Sequence, residues 1–193
     1  MRISDDRYTR DRLRFDLALR LIRLEARTCT IRLWTGLSDD RIRKLYRSYA
    51  SERDRTPVPR HRGKSPRQTA YFFRNPERQF QAAQLASLYL LHGLLDPTPA
   101  GIEAHYKIGS LESGLLLCRA YEAYVDLHEP ARISFEHAWF LLLALARHTE
   151  IDLARCAPCG GVQLRDLLAR RDAACAYCRL ESLDGPGGAN APC

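Results

Sequence analysis

The chain has 193 residues, of which 46% are hydrophobic, enough to bury the core of one ordinary domain or two small ones. The formal net charge of +7 is unevenly distributed: residues 1–74 carry 20 Lys and Arg against 9 Asp and Glu, whereas residues 75–193 carry 10 against 14. This asymmetry favours a polyanion-binding first part followed by a nearly neutral scaffold. The alternative is an ordinary solvated surface that is rich in arginine.

The composition argues against membrane proteins and disulfide-rich proteins. No apolar segment approaches the roughly 20 residues that cross a bilayer, and the Met-Arg-Ile-Ser-Asp-Asp start lacks the apolar core of a signal peptide. We therefore expect a cytoplasmic protein without membrane association, in which thiols stay reduced. The odd count of seven cysteines also fits poorly with a closed set of disulfides.

The first 52 residues predict three helices. Leucines at helical spacing indicate an amphipathic helix over 10–28, and a short helix over 30–35 follows. Gly36 ends the short helix, and Ser38, with two aspartates after it, is a good N-cap for a third helix. This order is typical of a helix-turn-helix, whose last helix can lie in the DNA major groove, although many helical bundles contain the same corner without binding DNA.

Two basic segments supply the candidate DNA contacts. The segment 53–67 contains three prolines and a glycine, which exclude a continuous helix, and seven basic side chains counting His61. It predicts an extended arm that tracks a phosphate backbone, and the alternative is a flexible linker. The candidate contacts are Arg41, Arg43, Lys44 and Arg47 in the third helix, and Arg60, Arg62, Lys64 and Arg67 in the arm.

Three further helices are marked by their ends. Asn75 and the proline after it begin a helix that runs to about His92, and a second helix is predicted over 111–127. A turn rich in proline and glycine separates them at 97–101, and no β-hairpin is predicted outside the cysteine-containing region. Ser134 caps a last helix whose near-continuous apolarity suggests burial on more than one side, including against another chain.

Four cysteines near the carboxyl end have the spacing of a four-thiolate metal site. Two Cys-x-x-Cys pairs are separated by the 15 residues 160–174, a span that lets them converge on one ion. Four thiolates leave no open coordination position, so the ion would be structural. Zinc is the predicted metal, and an iron–sulfur cluster with the same ligands is the alternative. The predicted ligands are Cys156, Cys159, Cys175 and Cys178. Two other cysteines, Cys29 and Cys118, fall in helical segments and are predicted to be buried.

No catalytic motif accompanies the cysteines. The six histidines lack the spacing of a catalytic zinc site, and the sequence contains no phosphate-binding glycine loop, nucleophile elbow or dinucleotide fingerprint. We assign no catalytic residue and expect that the chain is not an enzyme. The enzymatic alternative is a nucleic-acid-modifying domain that uses the metal as a prop, which would require a cluster of carboxylates or histidines.

Together these motifs resemble those of the C subunit of the flagellar master transcriptional activator, the FlhC family. The resemblance extends over almost the whole chain, and its cysteine block is the most specific part. It rests on Gly-Leu-Ser-Asp-Asp-Arg-Ile-Arg-Lys-Leu-Tyr at 36–46, the prolines Pro57 and Pro59, Glu-Ser-Gly-Leu-Leu-Leu at 112–117, Arg119-Ala120-Tyr121, Ala138-Trp139-Phe140, and the block 156–178.

The resemblance implies a cytoplasmic bacterial activator of flagellar genes. Members of the family act with a small helical partner, FlhD, in a hetero-oligomer that binds promoter double-stranded DNA and assists RNA polymerase. It also implies one structural Zn²⁺ per chain on the four cysteines. The rival interpretation is a zinc-knuckle adaptor that docks proteins without direct DNA contact.

The expected fold is mostly α: a helical bundle with a helix-turn-helix-like amino-terminal region and a four-cysteine zinc ribbon or knuckle near the carboxyl end. Five regions are expected along the chain. They are a helix-turn-helix-like region at 1–52, the basic arm at 53–74, a scaffold and partner-binding region at 75–150, the zinc-binding region at 151–182 and a disordered tail at 183–193.

Overall fold

The computed structural model describes residues 2–52, 58–59, 61, 63–98, 101–169 and 174–184. These residues form seven α-helices, a short 3-10 helix at Thr69–Phe73 and two antiparallel hairpins, so this part of the chain is mostly α, as predicted. The helices are α1 (Arg2–Arg23), α2 (Thr28–Thr35), α3 (Asp39–Glu52), α4 (Pro76–Leu91), α5 (Leu111–Leu127), α6 (Phe135–Arg147) and α7 (Ala176–Asp184). The strands are β1 (Leu95–Thr98), β2 (Gly101–Ala104), β3 (Ile151–Arg155) and β4 (Val162–Asp166).

The turn between α1 and α2 comes earlier than the sequence predicts. The expected helix over 10–28 was wrong at both ends, because α1 begins at Arg2 and ends at Arg23. Glu25 adopts a left-handed φ of 61°, and the Ala26 amide donates to the Leu21 carbonyl at 2.9 Å, which closes the helix. The chain then enters α2 after a turn of only four residues.

The corner between α2 and α3 has the predicted form. Gly36 adopts a left-handed φ of 68° at the end of α2, where glycine has no steric penalty. At the start of α3 the Ser38 carbonyl accepts from the Ile42 amide at 3.0 Å. Leu37 and Ile42 are both buried on either side of this start, which fixes the direction in which α3 leaves the corner.

The predicted ends of α4, α5 and α6 are confirmed. The Asn75 side chain accepts from the Arg78 amide at 2.8 Å, and Ser134 caps α6 as expected. Burial of α6 on several sides is also confirmed, and α4, α5, β2 and β3 of the same chain account for it. No helix among the described residues is both long and apolar enough to cross a bilayer.

One hydrophobic core joins the amino-terminal helices to the scaffold. Trp34 of α2 is fully buried, with its ring centroid 5.0 Å from that of Trp139 in α6. Leu17 of α1 packs beside Gly114 of α5, where an added Cβ would lie 2.8 Å from a leucine methyl. Packing against α5 and α6 therefore fixes the orientation of α1 and α2, and α3 packs in turn on α1 and α2.

The hairpin of β1 and β2 was not predicted. Leu95 pairs with Ala104 and Thr98 with Gly101, across the position where the sequence indicated only a turn. The expectation that no hairpin lies outside the cysteine region was therefore wrong. Each strand has four residues and β1 contains Pro97, so neither presents the alternating pattern by which strands are predicted.

We predict that Ile42 holds α3 on α1 and α2. Ile42→Ala should lower the free energy of unfolding by about 2–5 kcal/mol, because it removes a fully buried aliphatic side chain and leaves a cavity. Lys44→Ala, at an exposed position two residues after Ile42, should change the free energy of unfolding by less than about 0.5 kcal/mol. Urea unfolding measures both, and equal losses would contradict this packing role for Ile42.

Candidate metal centre and basic surface

The structure brings the two cysteine pairs together. Cys156 and Cys159 lie in the turn between β3 and β4, and Cys175 and Cys178 lie at the start of α7. The four Sγ atoms are all within 4.8 Å of one another. Thiolates at about 2.3 Å from a tetrahedral zinc would lie about 3.8 Å apart, so the cluster could hold such an ion after a small contraction.

Backbone geometry shapes the cluster before any metal binds. Gly160 adopts a φ of 70°, and its amide donates to the Cys156 carbonyl at 2.8 Å, so the first pair forms a tight turn. The Cys175 amide donates to the Cys156 Sγ at 3.1 Å. Amide donors from Cys159 and Cys175 lower the pKa of Cys156 to about 6, which favours the thiolate, the form that binds metals. Hydrogen bonding with Cys175 and Cys159 raises the pKa of Cys178.

The cysteine cluster is attached to the helical scaffold through α4. The ring centroids of Phe80 in α4 and Tyr177 in α7 are 4.9 Å apart and meet edge to face. The Gln79 side chain donates to the Leu164 carbonyl of β4 at 3.0 Å. A metal bound by the cysteines would therefore tie α7 and the hairpin of β3 and β4 to one face of α4.

The two helical cysteines have different environments. Cys118 is buried in α5 as predicted, and burial raises its pKa to about 12. Cys29 is exposed, so the prediction that it is buried was wrong. Thr30, Ile31 and Trp34 occupy the buried face of α2, which leaves Cys29 on the outer side. Helical periodicity alone could not decide the facing of so short a helix.

The candidate contacts of α3 share one exposed face. Two acidic groups near the start of the helix are neutralised locally, because Asp40 pairs with Arg43 at 2.9 Å and Asp39 with Arg32 at 3.3 Å. Within the part of the chain that the structure describes, the other basic side chains of this face make no ion pair or hydrogen bond. The exposed basic residues of α3 are Arg41, Arg43, Lys44 and Arg47.

The arm lies against the body of the protein where it is described. Lys64 and Arg67 are exposed in non-helical backbone, whereas the predicted contacts Arg60 and Arg62 lie outside the described residues. The Gly63 carbonyl accepts from Arg27 Nη1 at 2.8 Å. In addition, His61 Nε2 lies 2.8 Å from a Glu25 carboxylate oxygen, which anchors the arm to the turn before α2.

The same turn also holds α3. The Tyr46 hydroxyl of α3 donates to the Ala26 carbonyl at 2.9 Å. Three consecutive residues therefore contact both basic segments: Glu25 and Arg27 hold the arm, and Ala26 holds α3. We call Glu25–Arg27 the anchor turn. It brings together two segments that the sequence presents as separate candidates.

Glu136 is a functional candidate that the sequence did not reveal. This carboxylate of α6 is only 5% exposed, and it accepts from the Arg27 amide at 2.9 Å and from the Ser65 hydroxyl at 3.4 Å. It therefore links the scaffold to the anchor turn and the arm. In the sequence it has the ordinary place of an acidic residue in the first turn of a helix, and nothing local indicates contacts 109 and 71 residues away.

No model of a known protein family matches the chain, and no curated protein matches its sequence. Function is therefore inferred from the chemistry of the cysteine cluster and of the surface around the anchor turn.

His137, next to Glu136, is held as a neutral ring in a cationic environment. Its imidazole stacks on Tyr71 with ring centroids 3.7 Å apart. The guanidinium carbon of Arg78 lies 4.4 Å from the centroid of the same tyrosine ring. Burial lowers the pKa of His137 to about 4, and the positive charges of Arg78, Arg27 and Arg74 contribute to this lowering.

We predict that His137 makes folding stability sensitive to acid. The imidazole takes up a proton near pH 6.5 in the unfolded chain but near pH 4 in the folded protein, so its contribution is complete above pH 6.5 and is lost as the pH falls toward 4. His137→Gln should lose less stability than the parent between about pH 7 and about pH 5. Urea unfolding at both pH values tests this, and equal losses in the two proteins would refute it.

Proposed function

We propose that the chain is the DNA-binding subunit of a bacterial transcriptional activator, with a structural zinc ion in its cysteine cluster. The observation that carries this proposal is the anchoring of α3 and the basic arm to adjacent residues of one turn. Such a joint surface can engage a helical groove with α3 and the flanking phosphates with the arm. Neutralising phosphates with Lys and Arg supplies most of the non-specific affinity for DNA.

The two segments have different proposed roles. Arg41, Lys44 and Arg47 of α3 would lie at the major groove, where they would contact the flanking phosphates and where arginine and lysine read guanine through its O6 and N7 acceptors. Lys64 and Arg67 would contact the sugar–phosphate backbone and set the orientation of the subunit on the duplex. Arg43 would contribute less, because it is already paired with Asp40.

The resemblance of the motifs to the FlhC family gives the proposal its biological setting. In this setting the chain acts in the cytoplasm in a hetero-oligomer with an FlhD-type helical partner. The complex binds promoters of flagellar genes and assists RNA polymerase. A symmetric assembly with two half-sites would suit a chain that presents one helix and one arm.

A second candidate function is a protein-docking adaptor. An apolar groove of about 380 Å³ lies beside the cysteine cluster between α4, β4 and α7. Phe80, Tyr177 and Val162 border it and are 40%, 41% and 37% exposed, which favours a protein contact at this place. The adaptor would bind duplex DNA without salt sensitivity or not at all, so DNA binding distinguishes the two functions.

We expect one zinc ion per purified chain. Cys159→Ser removes one of four ligands and should abolish stoichiometric zinc, whereas Cys29→Ser, on the exposed side of α2, should retain it. Elemental analysis gives the metal content, and thermal unfolding should show a lower transition for Cys159→Ser because metal binding contributes to folding. Iron with visible absorbance would instead indicate an iron–sulfur cluster.

We expect reversal of charge on α3 to weaken DNA binding. Lys44→Glu combined with Arg47→Glu should reduce affinity for duplex DNA by about tenfold or more at low salt, because both side chains are exposed and make no ion pair among the described residues. The slope of log affinity against log salt should fall by about 1 for each phosphate contact removed. Fluorescence anisotropy with the partner subunit present measures both quantities.

The matched control is Arg119→Glu, an exposed charge reversal on α5, outside both α3 and the arm. It should leave affinity nearly unchanged. If the Arg119 variant weakened binding as much as the α3 variant, net charge alone would explain the effect. If neither did, α3 would not be the contact surface.

A further inference from the structure

A cavity of about 620 Å³ lies between the anchor turn, the arm and the start of α6. We call it the arm pocket. Its volume falls within the roughly 300–1,000 Å³ that is typical of small-molecule sites. The residues that matter for its chemistry are Arg23, Arg27, Arg132, Tyr121, Val125 and Phe135, all of which line it.

The polar lining of the arm pocket favours an anion. Three arginines line it, and its two carboxylates are already engaged by donors of the chain: Glu25 by His61, and Glu136 by the Arg27 amide and Ser65. Arg132 uses its Nε on Glu77 at 3.2 Å, and a guanidinium has five N–H donors, so further donors remain for a ligand.

The neutral state of His137 identifies which side chains carry the positive charge of the pocket. His137 also lines the arm pocket, where burial lowers its pKa to about 4 and the positive charges of nearby arginines contribute to the lowering. The ring is therefore uncharged at neutral pH and adds no positive charge to the pocket. The positive charge available to a ligand comes from the guanidinium groups.

The inner wall of the arm pocket is aromatic. Phe135 is 1% exposed and meets Tyr121 edge to face with centroids 5.2 Å apart. The Tyr121 hydroxyl donates to the Ile133 carbonyl at 3.0 Å, so this ring presents carbon atoms and not a free hydroxyl. Val125 lies at the edge of the wall and is 41% exposed. This wall suits the apolar part of an amphiphilic molecule.

We propose that the arm pocket binds a small organic anion whose apolar or aromatic body lies against Val125 and Tyr121, with its carboxylate, sulfonate or phosphate held by Arg27 and Arg132. The anion would bind at this site whether or not the chain contacts DNA as proposed above. Glu25 and Arg27, which hold the arm, also line the pocket, so the bound anion lies against the anchors of the arm.

The test uses anilinonaphthalene sulfonate, a fluorescent aromatic anion, on the full metal-loaded chain. We expect saturable fluorescence enhancement with one site per chain. Val125→Glu places a negative charge at the edge of the pocket and should weaken binding by about tenfold, and Arg132→Gln should weaken it through loss of an anion donor. The urea unfolding midpoints of both variants establish that they are folded.

Two controls separate the arm pocket from other surfaces. Leu127→Glu makes a similar charge change on the same helix at a residue that is 64% exposed and outside the pocket, and it should leave the affinity within about twofold. The uncharged analogue N-phenyl-naphthylamine has nearly the same body without the sulfonate, and its binding should be weaker and insensitive to Arg132→Gln.

Three results would overturn the proposal. The first is the absence of saturable binding. The second is dye affinity that Val125→Glu and Arg132→Gln leave unchanged, which would assign the dye to the apolar groove beside the cysteine cluster. The third is equal binding of the charged and uncharged dyes, which would make the pocket apolar but not anion-selective.

Discussion

The contacts of the anchor turn determine how the basic surface of this protein is arranged. The break between two helices leaves backbone groups without helical partners. Here the Ala26 carbonyl accepts from Tyr46 of α3, and the Arg27 amide donates to the buried carboxylate of Glu136. Glu25 holds a left-handed conformation that is costly for a residue with a Cβ, and these surrounding contacts stabilise it. Through this turn, α3 and the arm contact consecutive residues and are held next to each other.

The proposed structural and binding roles fall in different parts of the chain. In the carboxyl-terminal part, four sulfur atoms could close around an ion and secure α7 and a hairpin to α4. In the amino-terminal part, exposed cationic side chains lie on α3 and on the arm. The core around Trp34 and Trp139 packs the amino-terminal helices on the scaffold, with α3 held by α1 and α2. A closed metal site suits this division, because it stabilises structure and leaves no position for a substrate.

Local signals predicted much of this arrangement, and tertiary contacts account for what they missed. The starts at Asn75 and Ser134 and the end at Gly36 could be predicted because caps depend on neighbouring residues. The cysteine set could be predicted from spacing. The link from Glu136 to Arg27 could not, since it joins residues 109 apart. Hairpin β1–β2 was also missed, because pairing with a neighbouring strand overrides the local effect of a proline.

Hydrogen exchange with and without duplex DNA tests most directly whether α3 and the arm form one surface. The proposed FlhD-type partner should be present in both samples, and the amides of 39–48 and of 63–67 should be followed together. We predict that DNA slows exchange in both segments at the same DNA concentration, while α5 is unaffected. Protection of one segment alone, or of the groove beside the cysteine cluster instead, would contradict the joint surface.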